Sequence, residues 1–161
     1  MASAYRLPAI ALAAVATAAA PTPAPAKDPL VFVSAFAPGD QGGIHAYEFD
    51  TKAGKLKPLH RTAGAENPFF LALSPDKKFL YAIHARQFGG KENEQVAAYE
   101  LVGRTGELKL LSRQSAEGTA ACYLDVDATG KAVLVANYAS GSVASLPVGA
   151  DGSLGKPASF F

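Results

Sequence analysis

One stretch of ten residues limits the folds open to this chain more than any other. Ser74-Pro75-Asp76-Lys77-Lys78-Phe79-Leu80-Tyr81-Ala82-Ile83 returns in kind 53 residues later as Asp127-Ala128-Thr129-Gly130-Lys131-Ala132-Val133-Leu134-Val135-Ala136. Each copy reads as a tight turn feeding a strand. Pro75 presets φ for the turn, and Asp76 can accept a hydrogen bond from its own backbone two residues on. Phe79, Tyr81 and Ile83 then alternate with Leu80 and Ala82, a run suited to a pleated surface. A unit of strands that recurs after roughly 40–50 residues predicts the blade of a β-propeller.

The remaining sequence divides to the same pattern. The first segment holds strands at Leu30–Phe36 and Ile44–Phe49, a loop at 38–43, a turn at 50–56 and a poorer strand to about Ala63. The second predicts four strands, Phe69–Ser74, Phe79–His84, Val96–Leu101 and Leu108–Gln114. The third predicts Tyr123–Asp127, Ala132–Asn137 and Ser142–Val148. Each segment has a Gly-x-Leu turn, and Leu56, Leu108 and Leu154 lie 52 and 46 residues apart. No stretch after residue 26 carries a helical apolar period. The predicted fold is therefore all-β, a propeller of four-stranded antiparallel blades with about two to three blades present. Closed propellers have about 4–8 blades. The chain is thus expected to be the N-terminal part of a longer protein; assembly of a ring from several chains is the alternative, and it would expose strand edges.

Residues 1–26 read as an export signal. Arg6 supplies a basic n-region, residues 7–20 an apolar run too short to span a bilayer, and Ala24-Pro25-Ala26 a cleavage site that leaves Lys27 first. This predicts a periplasmic or secreted protein of residues 27–161 with no membrane attachment after processing. Lys and Arg exceed Asp and Glu by 15 to 14, so no nucleic-acid partner is implied. The single cysteine, Cys122, is either a reactive thiol or a small buried hydrophobe. The three histidines are too scattered for a local metal site, and no cofactor-binding motif is present. Glu92 and Glu94 beside Lys91 read as a solvated loop tip, Gly42-Gly43 and Gly89-Gly90 as loop hinges. Asp125 and Asp127 resemble a carboxylate pair but fit turn chemistry better.

The meander assigns the loops to ends. With strands a to d running outward, the a–b turn (74–78) and the c–d turn (102–108) share one end, and both are tight. The long b–c loop (85–95) and the d–a connections (64–67, 116–120) share the other. Any site is expected at that second end, around the channel mouth.

The strings Asn67–Asp76 and Val135-Ala136-Asn137-Tyr138-Ala139-Ser140-Gly141-Ser142-Val143, with the Asp151–Leu154 turn, resemble the seven-bladed β-propeller lactonase family. That family includes propeller-type 6-phosphogluconolactonases and carboxymuconate-lactonizing enzymes. The resemblance covers residues 30–161 and would match the first two to three blades. It implies an enzyme that opens a sugar lactone to the acid, with no cofactor and a small lactone or sugar-derived ligand as partner. The family's catalytic histidine, glutamate and arginine lie mostly in later blades, so the catalytic set is expected downstream of Phe161. Tyr123 stands where members usually have histidine, and Ser140-Gly141 where they have two glycines.

Lactone hydrolysis needs a base for water and donors at the carbonyl oxygen. At the predicted mouth the chain offers His84 and Arg86 after one b strand, Asn137 and Tyr138 after the next, and Glu66 and Asn67 on a connection. His84, Arg86, Asn137 and Tyr138 are the candidate substrate-binding residues. Two functions stay open, an exported lactonase in its complete form and a non-catalytic exported propeller that binds a ligand at the same mouth.

Overall fold

A computed structural model describes residues 27–87 and 91–161; the export-signal segment and the Gly89-Gly90 hinge lie outside them. The described residues form three antiparallel sheets. Sheet 1 holds β1 (Leu30–Ala35), β2 (Gly43–Asp50) and β3 (Lys55–Thr62). Sheet 2 holds β4 (Pro68–Leu73), β5 (Phe79–His84), β6 (Gln95–Leu101) and β7 (Leu108–Ser115). Sheet 3 holds β8 (Ala121–Val126), β9 (Ala132–Asn137), β10 (Ser142–Pro147) and the short β11 (Ser159–Phe160). Every sheet is a simple meander, and the first strands of neighbouring sheets adjoin, β1 against β4 and β4 against β8. The all-β, propeller-type reading and the strand order stand.

Register sharpens the repeat. Val31 pairs with Tyr47, Leu80 with Tyr99 and Val133 with Leu146, at equivalent points of the three sheets. Thus β1 corresponds to β5 and β9, the second strands. Sheet 1 consists of strands b, c and d, and among the described residues β1 pairs only with β2.

Strand alternation splits each sheet into a back face toward the preceding sheet and a front face toward the next. Leu80, Ala82, Ala97, Tyr99 and Leu108 form the back of sheet 2 and pack with Ile44 of sheet 1. Tyr81, Ile83, Val96 and Ala98 form its front and pack with Leu124, Val133, Val135, Leu146 and Leu154 of sheet 3. Two parallel apolar layers result, with sheet 2 between them.

The recurring turns have a physical basis. Ser74 Oγ donates to Asp76 Oδ1 (2.6 Å) and accepts the N–H of Phe79 (3.0 Å). In the next copy the two chemistries trade places. Asp127 accepts the Thr129 hydroxyl and the N–H groups of Thr129, Lys131 and Ala132, so its carboxylate is a turn element. The Gly-x-Leu glycines, Gly106 and Gly152, both sit at φ +82° against the preceding sheet. A Cβ at Gly106 would lie 2.6 Å from Ala46 Cβ, and one at Gly152 would lie 2.3 Å from the Phe79 ring. Leu154 opens no strand, unlike Leu108. It makes an isolated bridge to Val148, Gly155 donates back to Pro147 O, and pairing with β10 resumes only beyond Pro157.

Candidate functional site

The long b–c loop and the sheet-to-sheet connections do share one end, and a cleft of about 490 Å³ opens there. Among the described residues its wall carries three cationic side chains, Arg86, Lys91 and Arg113, against three acidic ones, Glu66, Glu92 and Glu94. The opposite end is roomier than its tight turns suggest. A groove of about 620 Å³ separates the Ser74–Phe79 turn from Thr129–Lys131.

His84 closes β5 with its ring on the back face, under the connection from sheet 1. It is buried, and both nitrogens are engaged. Nδ1 lies 2.7 Å from the Glu66 carbonyl, an acceptor only, so Nδ1 carries the proton. Nε2, 3.0 Å from the Tyr99 hydroxyl, then accepts. Arg113 donates to the Tyr99 hydroxyl in turn, and its Nη2 donates to Gly64 O (3.0 Å). Burial lowers the His84 pKa to about 4, with the Arg113 charge adding to the fall and the Glu66 carbonyl opposing it. Burial also raises the Tyr99 hydroxyl. The ring is a neutral clamp on residues 64–66 at neutral pH.

Asn137 occupies the equivalent place at the end of β9. Its Nδ2 donates to Ala116 O (2.9 Å) and Ser142 Oγ (3.2 Å), pinning the connection from sheet 2 to sheet 3. Glu94 holds the same connection from the other side. Its Oε2 accepts the Ala121 N–H (2.7 Å), its carbonyl accepts that of Ala116, and its N–H donates to Gly118 O. Glu94 is buried, so the solvated tip predicted for Glu92 and Glu94 holds only for Glu92, which is exposed and 3.6 Å from Arg86. These clamps hold strained backbone. Glu117 and Ala120 have φ of 53° and 52°, and Asn67 on the other connection has φ 39°.

The four candidates thus fall into two pairs. His84 and Arg86 line one cleft; Asn137 and Tyr138 lie one sheet further round. His84 and Asn137 point inward to backbone, whereas Arg86 and Tyr138 are open to solvent. Sequence reasoning missed Glu94, Tyr99 and Arg113. Tyr99 had a signal, since Ala46-Tyr47-Glu48 and Ala98-Tyr99-Glu100 recur in register. Tyr123 lies at the bulged start of β8, as Phe70 does in β4, and the two rings are 4.8 Å apart. Cys122 is half-buried beside the Ala136 carbonyl. Among the described residues no helix is long and apolar enough to cross a membrane.

The profile described as "Lactonase, 7-bladed beta-propeller" matches residues 30–161. The chain is 32% identical over 132 residues to the 6-phosphogluconolactonase of Formosa agariphila, covering 81% of this chain and 37% of that protein. It is 35% identical over 128 residues to the 6-phosphogluconolactonase of Bacillus subtilis, covering 80% and 36%. The crystal structure of the periplasmic gluconolactonase of Pseudomonas aeruginosa superimposes with a TM-score of 0.71 at 30% identity, over 82% of this chain and 38% of that one. The chain therefore spans little more than a third of the length of these relatives. Antiparallel meanders of three and four strands packed face to face, one Gly-x-Leu turn per sheet and a match along all of residues 30–161 make this chain a member of the seven-bladed β-propeller lactonase family.

Proposed function

We propose that this chain is part of a propeller that hydrolyses a neutral, sugar-derived lactone to its acid outside the cytoplasm. The observation that carries the reading is the family match along residues 30–161. Two further features favour a substrate without phosphate. The cleft balances three cations with three carboxylates, where a phosphate site concentrates arginine and lysine. Residues 1–26 have the pattern of an export signal, and the similar Pseudomonas protein is named a periplasmic gluconolactonase.

In this reading Arg86 and Tyr138 meet the ligand from the rim, Arg86 as a donor to its carbonyl or hydroxyl oxygens. His84 and Asn137 position the connections that form the floor. His84 is no base at neutral pH, because its Nδ1 already donates and its Nε2 already accepts. The base that activates water comes from another part of the ring.

The test is acid release by the full-length, secreted protein, followed by pH-stat titration with glucono-δ-lactone and with its 6-phosphate. The unphosphorylated lactone is expected to open faster than its spontaneous rate, and the secreted protein to begin at Lys27. Arg86→Ala should lower kcat/KM by about tenfold, the loss of one charge-assisted contact. Absence of acceleration with either lactone would overturn the reading, and preference for the phosphate ester would overturn its substrate.

A further inference from the structure

Lactone hydrolysis changes the charge of the ligand while it sits in the cleft. One water adds across the ring ester. Its oxygen bonds to the acyl carbon, the ring C–O bond breaks to a hydroxyl, and the new carboxyl group loses its proton to solvent at neutral pH. A neutral lactone enters and an anion has to leave. Arg86, the rim donor to the lactone's oxygens, holds a carboxylate more tightly than a carbonyl, because a guanidinium–carboxylate contact is charge-assisted and can be bidentate. By itself such a residue favours product over substrate.

The charged groups of the cleft divide by what already holds them. Arg113 is committed to Gly64 O and to the Tyr99 hydroxyl. Glu94 is buried, with Oε2 on the Ala121 N–H. Glu66 is anchored through its carbonyl, which accepts from His84. Arg86 and Glu92 differ from these. They stand on the two arms of the b–c loop, both exposed, with Nη1 and Oε2 3.6 Å apart. Asn67 Nδ2 donates to Arg86 O (3.0 Å), so the backbone beneath the guanidinium is tied to the connection while its head can change partners. Among the described residues Glu92 is the only cleft carboxylate in an ion pair. An exposed pair at this separation is weak, so a ligand can displace it.

We propose that Glu92 is a specificity-determining residue: it masks the charge of Arg86, and so disfavours the acid product and other anions relative to a neutral lactone. The inference rests on the hydrolytic reading of the cleft. Competition for the guanidinium weakens every ligand of Arg86 alike. Repulsion by the Glu92 carboxylate weakens only an anion, and this repulsion sets the discrimination. It acts without direct contact, and salt screens it because both groups are open to solvent. Arg86 thereby remains a donor to a carbonyl or hydroxyl oxygen without retaining the carboxylate that the reaction makes.

The test is gluconate binding to the full-length protein by isothermal titration calorimetry, beside initial rates with glucono-δ-lactone. At low ionic strength Glu92→Gln is expected to bind gluconate about fivefold more tightly than wild type, and at about 0.5 M salt less than about twofold. Its kcat/KM for the neutral lactone is expected to stay within about twofold, since loss of a weak exposed pair is all that substrate feels. Glu92→Asp keeps the charge and is expected to bind gluconate like wild type. Glu92→Ala is expected to follow Glu92→Gln, which excludes a new hydrogen bond from the amide as the cause. Equal or undetectable gluconate binding in wild type and Glu92→Gln would overturn the proposal. So would an equal gain for the neutral lactone, which would mean that Glu92 only competes for Arg86. The titration needs no turnover, so the fivefold shift without acceleration of either lactone would sink the hydrolytic reading while upholding charge discrimination at Glu92.

Discussion

His84 joins the candidate cleft to the stability of the molecule. Its pKa in the folded chain is about 4, against 6.5 for an unburied imidazole. The folded value is the lower one, so the unfolded chain takes up the proton first as pH falls. Stability is therefore unaffected above about pH 6.5, declines through the window from 6.5 to 4, and loses no more to this group below it. The gap corresponds to on the order of 3 kcal/mol. Urea unfolding of wild type and His84→Gln across that window measures it, and the variant's stability is expected to stay nearly level where wild type falls. Equal slopes would show that the imidazole is not held neutral. Asp127 belongs to a different window. The Thr129 hydroxyl and the backbone N–H groups lower its carboxyl to about 2, so its contribution fades only below the ordinary 3.8. The repeat alone was enough to mark His84 and Asn137 as equivalent. Their inward orientation was not legible, because each bonds backbone far away in sequence, 18 residues for His84 and 21 for Asn137. Glu94 left no trace at all, since a glutamate beside a lysine in a polar loop looks the same buried or solvated.

At the level of the strand and its turn, alternation and turn chemistry were sufficient to place the strands to within a residue or two, which is the ordinary spread of such boundaries. The exception is the outer strand of sheet 3, where Gly155 and Pro157 interrupt pairing after Leu154. The Gly-x-Leu period was visible, but its cause was not, because the glycine is required by a neighbouring sheet and not by its own turn alone. That distinction is testable. Gly152→Ala puts a methyl into the Phe79 ring at a left-handed φ of +82°. Left-handed strain and overpacking together are expected to cost about 3 kcal/mol. Gly54→Ala at φ +66° meets only the backbone penalty, about 1 kcal/mol, because nothing lies within 4 Å. Chemical denaturation of the two variants checks the difference. Equal losses would mean that contact with the preceding sheet contributes nothing to the motif.

In the molecule as a whole, sheet 2 is the only one of the three with an apolar layer on both faces among the described residues. In β5 and β6 successive side chains enter alternate layers, Leu80 and Ala82 toward sheet 1, Tyr81 and Ile83 toward sheet 3. Such an array is close to one-dimensional. Each sheet is stabilised by itself and by its immediate neighbours, so one with two neighbours opens last. Among the described residues sheets 1 and 3 have one neighbouring sheet each, and their outward faces hold the exposed Leu56 and Leu134. Amide hydrogen exchange of a polypeptide limited to residues 27–161 is therefore expected to show β5 and β6 as the slowest strands, exchanging only through global unfolding. The amides of β2 and β9 are expected to exchange faster, through sub-global openings that detach one sheet and leave the other layer intact. If β9 proves as protected as β5, the three sheets form one cooperative unit, and the two layers are not energetically separable. The same ordering bears on the cleft. Residues 64–66 and the Ala116–Ala121 connection are each clamped by the sheet that follows, through His84 and Arg113 in one case and Asn137 in the other. Detaching sheet 3 removes the Asn137 clamp, while Glu94 keeps its hold on Ala116, Gly118 and Ala121, and His84 and the cleft beside it remain in place. Exchange at Thr119, whose N–H donates to Ser140 Oγ, should accordingly track β9, and exchange at Ala116 and Ala121, both bound by Glu94, should track the slower opening of sheet 2.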